Sequence, residues 1–257
     1  MKRIASSIFL IINYKTLLLV ILSLASTYLC HYYQFTADFP LTLVSVAIVF
    51  PVVFSIDTAY KRRENALKHF ADFKGHAVSI YYGCRDWVEV SNSEIPERVK
   101  NLTVEMLYTI KALFKSSTAE ESHKQEVNIY QKFSDLSRLL QELRAQGLPA
   151  GEVSRVNQYL SKMIIAFDNM KIVHHYRTPV TLRAYSKGFI YLFPILYGPY
   201  FAFTFEQYAY GLGYLMPILY SFILVSLDNI QDHLENPYDE VGEDDVRIEV
   251  DEFIRIL

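Results

Sequence analysis

The chain has 257 residues, of which 51% are hydrophobic and 15% aromatic, with 20 Tyr and 17 Phe, a balance that fits a membrane protein with a substantial water-exposed part. A net charge of -3 with scattered basic residues argues against a nucleic-acid partner. Cys30 lies in an apolar segment and Cys84 beside charged residues, which argues against a disulfide framework or a cysteine metal site.

Four apolar segments stand out in chain order: about 16–33, 39–60, 188–205 and 208–227. Each is near the ~20 residues that cross a ~30 Å hydrocarbon core. The first is preceded by Lys2, Arg3 and Lys15 and ends in His31, Tyr32 and Tyr33. It lacks the small-residue cleavage site of a signal peptide. The second has no helix breaker before about Gly75, so its helix is expected to continue beyond the membrane. The third holds Pro194 and Pro199 and the fourth Pro217, which spanning helices tolerate when neighbours satisfy the freed carbonyls. Lys61, Arg62, Arg63 and Lys68 follow the second segment, and Arg177, Arg183 and Lys187 precede the third. The connections 34–38 and 206–207 carry no Lys or Arg. The positive-inside rule then places both termini and the middle region in the cytoplasm of a multi-pass protein of the cell membrane, inner or plasma.

The region 61–187 is too long for a plain loop. Val99, Leu102, Met106, Leu107, Ile110, Leu113 and Phe114 recur at three- and four-residue spacing. So do Phe133, Leu136, Leu139, Leu140 and Leu143, then Val156, Tyr159, Leu160, Met163, Ile164 and Phe167. This is the period of amphipathic helices. Breaks fall at 91–93, 116–118 and 147–151, and helix starts at 94–97 and 151–154. The fold expected is an all-α membrane protein, with four transmembrane helices continuous with a cytosolic helical bundle. Its parts are 1–60, the cytosolic domain 61–187, the helices of 188–227, and an acidic turn and tail over 228–257.

Enzymatic chemistry has little support. There is no Gly-rich phosphate loop, CxxC or HExxH. His174 and His175 are adjacent, so on a helix they point about 100° apart and chelate poorly. A structural role is the simpler reading for them. Asp57 and Asp228 sit only at the margins of apolar segments, where interfacial placement accounts for them. In the second segment Val46, Phe50 and Phe54 fall at i, i+4 and i+8, one stripe on a helix. Two readings stand: packing against another helix of the same chain, or lining a pore. A ring of such stripes makes an apolar constriction that gates by dewetting.

Four places resemble the bestrophin family in its broad sense, bacterial homologues included. They are 46–54 with Tyr60-Lys61-Arg62-Arg63-Glu64-Asn65-Ala66 after it; Arg177-Thr178-Pro179-Val180; 185–194; and Asn236-Pro237-Tyr238 within the acidic run 228–245. Their order and spacing cover most of the chain. The resemblance implies a homopentameric ion channel with one axial pore, passing chloride or other small anions. A cation-selective homologue is the alternative inside the family, and a non-conducting membrane scaffold or signalling protein the alternative outside it. It puts the pore neck at Val46, Phe50 and Phe54, and a cytosolic aperture at Val153, which on its own pattern reads as an ordinary core valine. Asp57 and the cytosolic carboxylates favour cations, while pore-facing Lys or Arg reverses that.

The resemblance also implies a calcium clasp in the acidic run, with His233, Asn236, Glu243, Asp244 and Asp245 as its residues. An oxygen-rich set suits that ion. The intervening Asp239-Glu240-Val241-Gly242 displaces the carboxylates from the family pattern. The other reading of the run is a solvated or inter-subunit surface pairing with basic residues.

Overall fold

The computed structural model describes residues 13–39, 41–88, 94–205, 213–240 and 244–257. Its regular elements, among those residues, are all helices. They form two compact units, one of Met1–Arg62 with Arg177–Glu235, the other of Arg63–Tyr176 with Asn236–Leu257.

In the first unit, helix α1 (Tyr14–Tyr32) opens on a capping box. The Asn13 side chain accepts from the backbone N–H groups of Lys15 and Thr16, and the Thr16 hydroxyl accepts from the Asn13 N–H. Donors that would otherwise be orphaned are thereby satisfied. Among the described residues, α1 is the helix long and apolar enough to cross a membrane. Helix α2 (Leu41–Asp86) begins in this unit and runs for 46 residues, about 70 Å at 1.5 Å per residue. It passes Gly75 without a break.

Hydropathy places the start of the third apolar segment at 188, but helix α6 (Val180–Leu196) begins eight residues earlier. Its first turns carry Arg183 and Lys187, which depress the hydropathy. The segment also divides, because α6 stops before Tyr197 and α7 (Gly198–Phe205) follows. Pro199 has no N–H to donate to the carbonyl four residues back, which favours a break there. The start expected for the fourth segment, about 208, falls in residues 206–212, which lie outside the described residues. Helix α8 (Leu215–Leu234) continues seven residues past Leu227. The stretch 228–234 is therefore helix, and the turn begins after it.

Leu19, Ile48, Val52, Ile190, Phe193, Phe201 and Leu224 form the core of this unit around Tyr197. The Phe193 and Tyr197 rings stack at 4.4 Å, a distance at which aromatic pairs are favourable. Helix α7 approaches α1 so closely that a Cβ on Gly198 would lie 2.2 Å from Ser26 Oγ and 3.2 Å from the Ser26 carbonyl carbon. Gly198→Ala must displace the Ser26 side chain and ease the neighbouring backbone by a few tenths of an ångström, and overpacking of this kind costs about 1–3 kcal/mol. Gly188→Ala meets nothing within 4 Å and sits inside α6. It should be neutral or stabilising. Apparent melting midpoints of the two variants in detergent check this. Equal midpoints would refute the close approach.

The second unit holds the remainder of α2 with α3 (Ile95–Lys115), α4 (Ala119–Ala145), α5 (Ala150–His175) and α9 (Val250–Ile256). The expected three- and four-residue stripes are its core, with Val99, Met106, Leu107, Ile110, Phe133, Leu136, Leu143, Val156, Met163 and Phe167 buried. The break at 116–118 works as a helix start: Thr118 caps α4 by accepting from the Glu121 N–H. After α4 the chain turns at Gly147, whose φ of +98° suits glycine. The expected break at 91–93 lies outside the described residues.

Candidate functional site

Within the first unit, α2 has two unlike sides. Ile48, Val52, Ser55 and Ala59 are buried at helical spacing. On the opposite side Val46, Phe50 and Phe54 are 48%, 57% and 57% exposed. The Phe50 and Phe54 rings lie 6.1 Å apart on one stripe. Among the described residues, no helix packs over the stripe closely enough to bury it. Pro51 sits inside the same helix. Its missing N–H frees a backbone carbonyl within this stretch.

Val153 lies in the first turn of α5, its N–H donating to the Pro149 carbonyl at 3.1 Å. It is half-buried and packs against the core of the second unit. His174 packs on the Phe114 ring at 4.9 Å and edge-on to His175.

The polar end of α8 is a dense junction in the first unit. The Asn229 amide oxygen accepts from the Asn13 side-chain amide at 2.8 Å. Asp232 takes the ammonium groups of Lys15 at 2.9 Å and Lys187 at 2.7 Å. Three residues on, Glu235 is 3% exposed. Its carboxylate accepts from the Thr178 backbone N–H at 2.8 Å and from the Thr178 hydroxyl at 2.7 Å, with the Arg183 guanidinium 3.9 Å away. Arg62 donates to the Glu235 carbonyl oxygen at 3.1 Å.

Glu235, the residue preceding Asn236-Pro237, is thus bound directly to the Thr-Pro element. Both motifs are visible in the sequence, whereas the role of this carboxylate is not. One signal was available: Pro179 occupies the N-cap position of α6 and offers no side-chain cap. The amide just before it needs an acceptor from elsewhere.

In the second unit the acidic run is held by the body of that unit. Tyr238 is buried, stacks on Phe114 at 4.5 Å, and donates its hydroxyl to the Ala66 carbonyl at 3.0 Å. Glu240 has a positive φ of 57° and pairs with Lys111 at 2.8 Å and Lys115 at 2.5 Å. Of the proposed clasp residues, His233 is exposed at the end of α8 and Asn236 is half-buried. Asp244 is exposed, with its backbone carbonyl accepting from Arg63, and Asp245 is half-buried. Glu243 lies outside the described residues. Among those described, no three His, Cys, Asp or Glu side chains converge as a metal ion requires.

Burial pushes the Glu240 carboxyl up, but hydrogen bonds from Lys111 and Lys115 outweigh it and hold it below its ordinary 4.5. A carboxyl depressed on folding contributes stability above its unfolded value, and loses it as pH falls through the folded one. Acidification from about pH 5 to 3 should therefore lower the melting midpoint more in the wild type than in a Lys111→Gln, Lys115→Gln variant. Parallel pH curves would show that the lysines do not hold the turn.

No family model and no curated protein matches this chain. Solved structures do. A variant of a bacterial bestrophin homologue from Klebsiella pneumoniae superposes with a TM-score of 0.81 at 14% identity, covering 94% of this chain and 95% of that one. Another structure of that homologue gives 0.79 at 14%, covering 95% and 96%. A crystal structure described as a membrane protein gives 0.80 at 14%, with the same coverage. About 95% of the chain is matched, and the chain has the bestrophin-like fold.

Proposed function

We propose that the chain is one subunit of a passive ion channel of bestrophin type, embedded in the cell membrane and built from five copies around one axial pore. The observation that carries this is the open stripe of Val46, Phe50 and Phe54 on a chain with this fold. A stripe of exposed aromatic and aliphatic side chains suits burial against lipid or against copies of itself, and five stripes around an axis form an apolar neck. Four crossings and cytoplasmic termini follow from the basic residues flanking the apolar segments.

A narrow apolar neck strips part of an ion's hydration, and wetting on widening permits flow. Phenyl edges carry partial positive charge and ease the passage of chloride or another small anion. Val153, at the start of α5, is assigned the cytosolic aperture. The α8 junction and the acidic run are assigned a supporting or controlling part. Calcium binding by the acidic run is a further arm of this proposal.

Purified protein in liposomes carrying a salt gradient tests the reading. Ion flux is the expected result. Folded oligomer without flux would return the chain to the scaffold class.

A further inference from the structure

The open stripe of α2 does not end at Phe54; it changes chemistry. At about 100° per residue, and taking Val46 as zero, Phe50 and Phe54 lie at about 40° and 80°. Asp57 and Lys61 fall at about 20° and 60°, inside the same arc. They sit about 4.5 Å and 10 Å beyond Phe54 along the helix axis. Both are exposed, at 48% and 70% of their side chains, and the Lys61 ammonium meets the Asp57 carboxylate at 2.6 Å. The helix thus places an acid and a base, already paired, at the charged end of the apolar neck.

Resting on the channel reading above, we propose that the Asp57–Lys61 pair keeps the mouth of this pore without net charge, Lys61 cancelling Asp57. A ring of copies then carries equal numbers of each charge, and the apolar neck sets the preference of the wild type. Removing either partner exposes a ring of the other sign, and rings of fixed charge at a constriction select counter-ions. The acid lies one turn nearer the neck than the base, so a bare Asp57 ring acts closer to the barrier. An exposed pair one helical turn apart contributes little to folding. Its substitution therefore reads on permeation.

The test is the reversal potential in asymmetric potassium chloride for wild type, Lys61→Gln, Asp57→Asn and the double variant. Lys61→Gln is expected to shift the chloride-to-potassium permeability ratio towards potassium by about fivefold or more, the scale of a single unit charge about 4 Å from an ion in water. Asp57→Asn is expected to shift it towards chloride, and the double variant to restore the wild-type value. Lys61→Met repeats the first arm should Lys61→Gln fail to assemble. Shifts in one common direction, or none in variants that conduct, would overturn the assignment while leaving the channel standing. A wild type that passes no current would remove the channel and this inference together.

Discussion

Replacing Phe50 and Phe54 together with alanine is expected to raise the conductance of the assembled protein on the order of tenfold, which needs only ~1.4 kcal/mol off the crossing barrier. The chain presents both rings on one stripe, 6.1 Å apart and uncovered by its own described helices. In a ring of five the double substitution removes ten phenyl groups from the neck. The neck widens, wets more readily and loses its control over flow. The fold should persist, because exposed substitutions away from caps and cores shift stability by about 0.5 kcal/mol or less. Bilayer currents from folded variant and wild type check this. Unchanged single-channel conductance would take both residues out of the pore.

The second large effect is on stability. Glu235→Ala is expected to cost about 3 kcal/mol, because it strands the buried Thr178 N–H and leaves Arg183 without its nearby carboxylate. It also unties the entry to α6 from the end of α8. Glu235→Gln should cost less, since one amide oxygen still accepts the Thr178 N–H and the hydroxyl can turn to accept from the amide. The expected order of apparent melting midpoints is wild type, Gln, then Ala. An alanine variant that melts with the wild type would show that this carboxylate does not hold the junction.

The soluble helices were legible because their apolar residues keep one phase: Met106, Leu107 and Ile110 or Phe133, Leu136 and Leu140 need only the 3.6 period to find a common face. The ends of the apolar segments were less legible. Arg183 and Lys187 read as the outside of a membrane helix, yet they belong to α6 and aim at carboxylates of α8. Asp228 and Asp232 read as a turn for the same reason, although their four-residue spacing presents both towards Lys187. The Thr178–Glu235 link joins residues 57 apart, and no local pattern encodes such a pair. The stripe of Val46, Phe50 and Phe54 was visible in sequence. Whether it was covered or open depended on the placement of every other helix.

The central claim is that copies of this chain form a pore lined by α2. Planar-bilayer recording of the purified wild-type protein tests it most directly. The account predicts discrete current steps that reverse where the ion gradients dictate. Folded, oligomeric protein that inserts into the bilayer and yields no steps would contradict it.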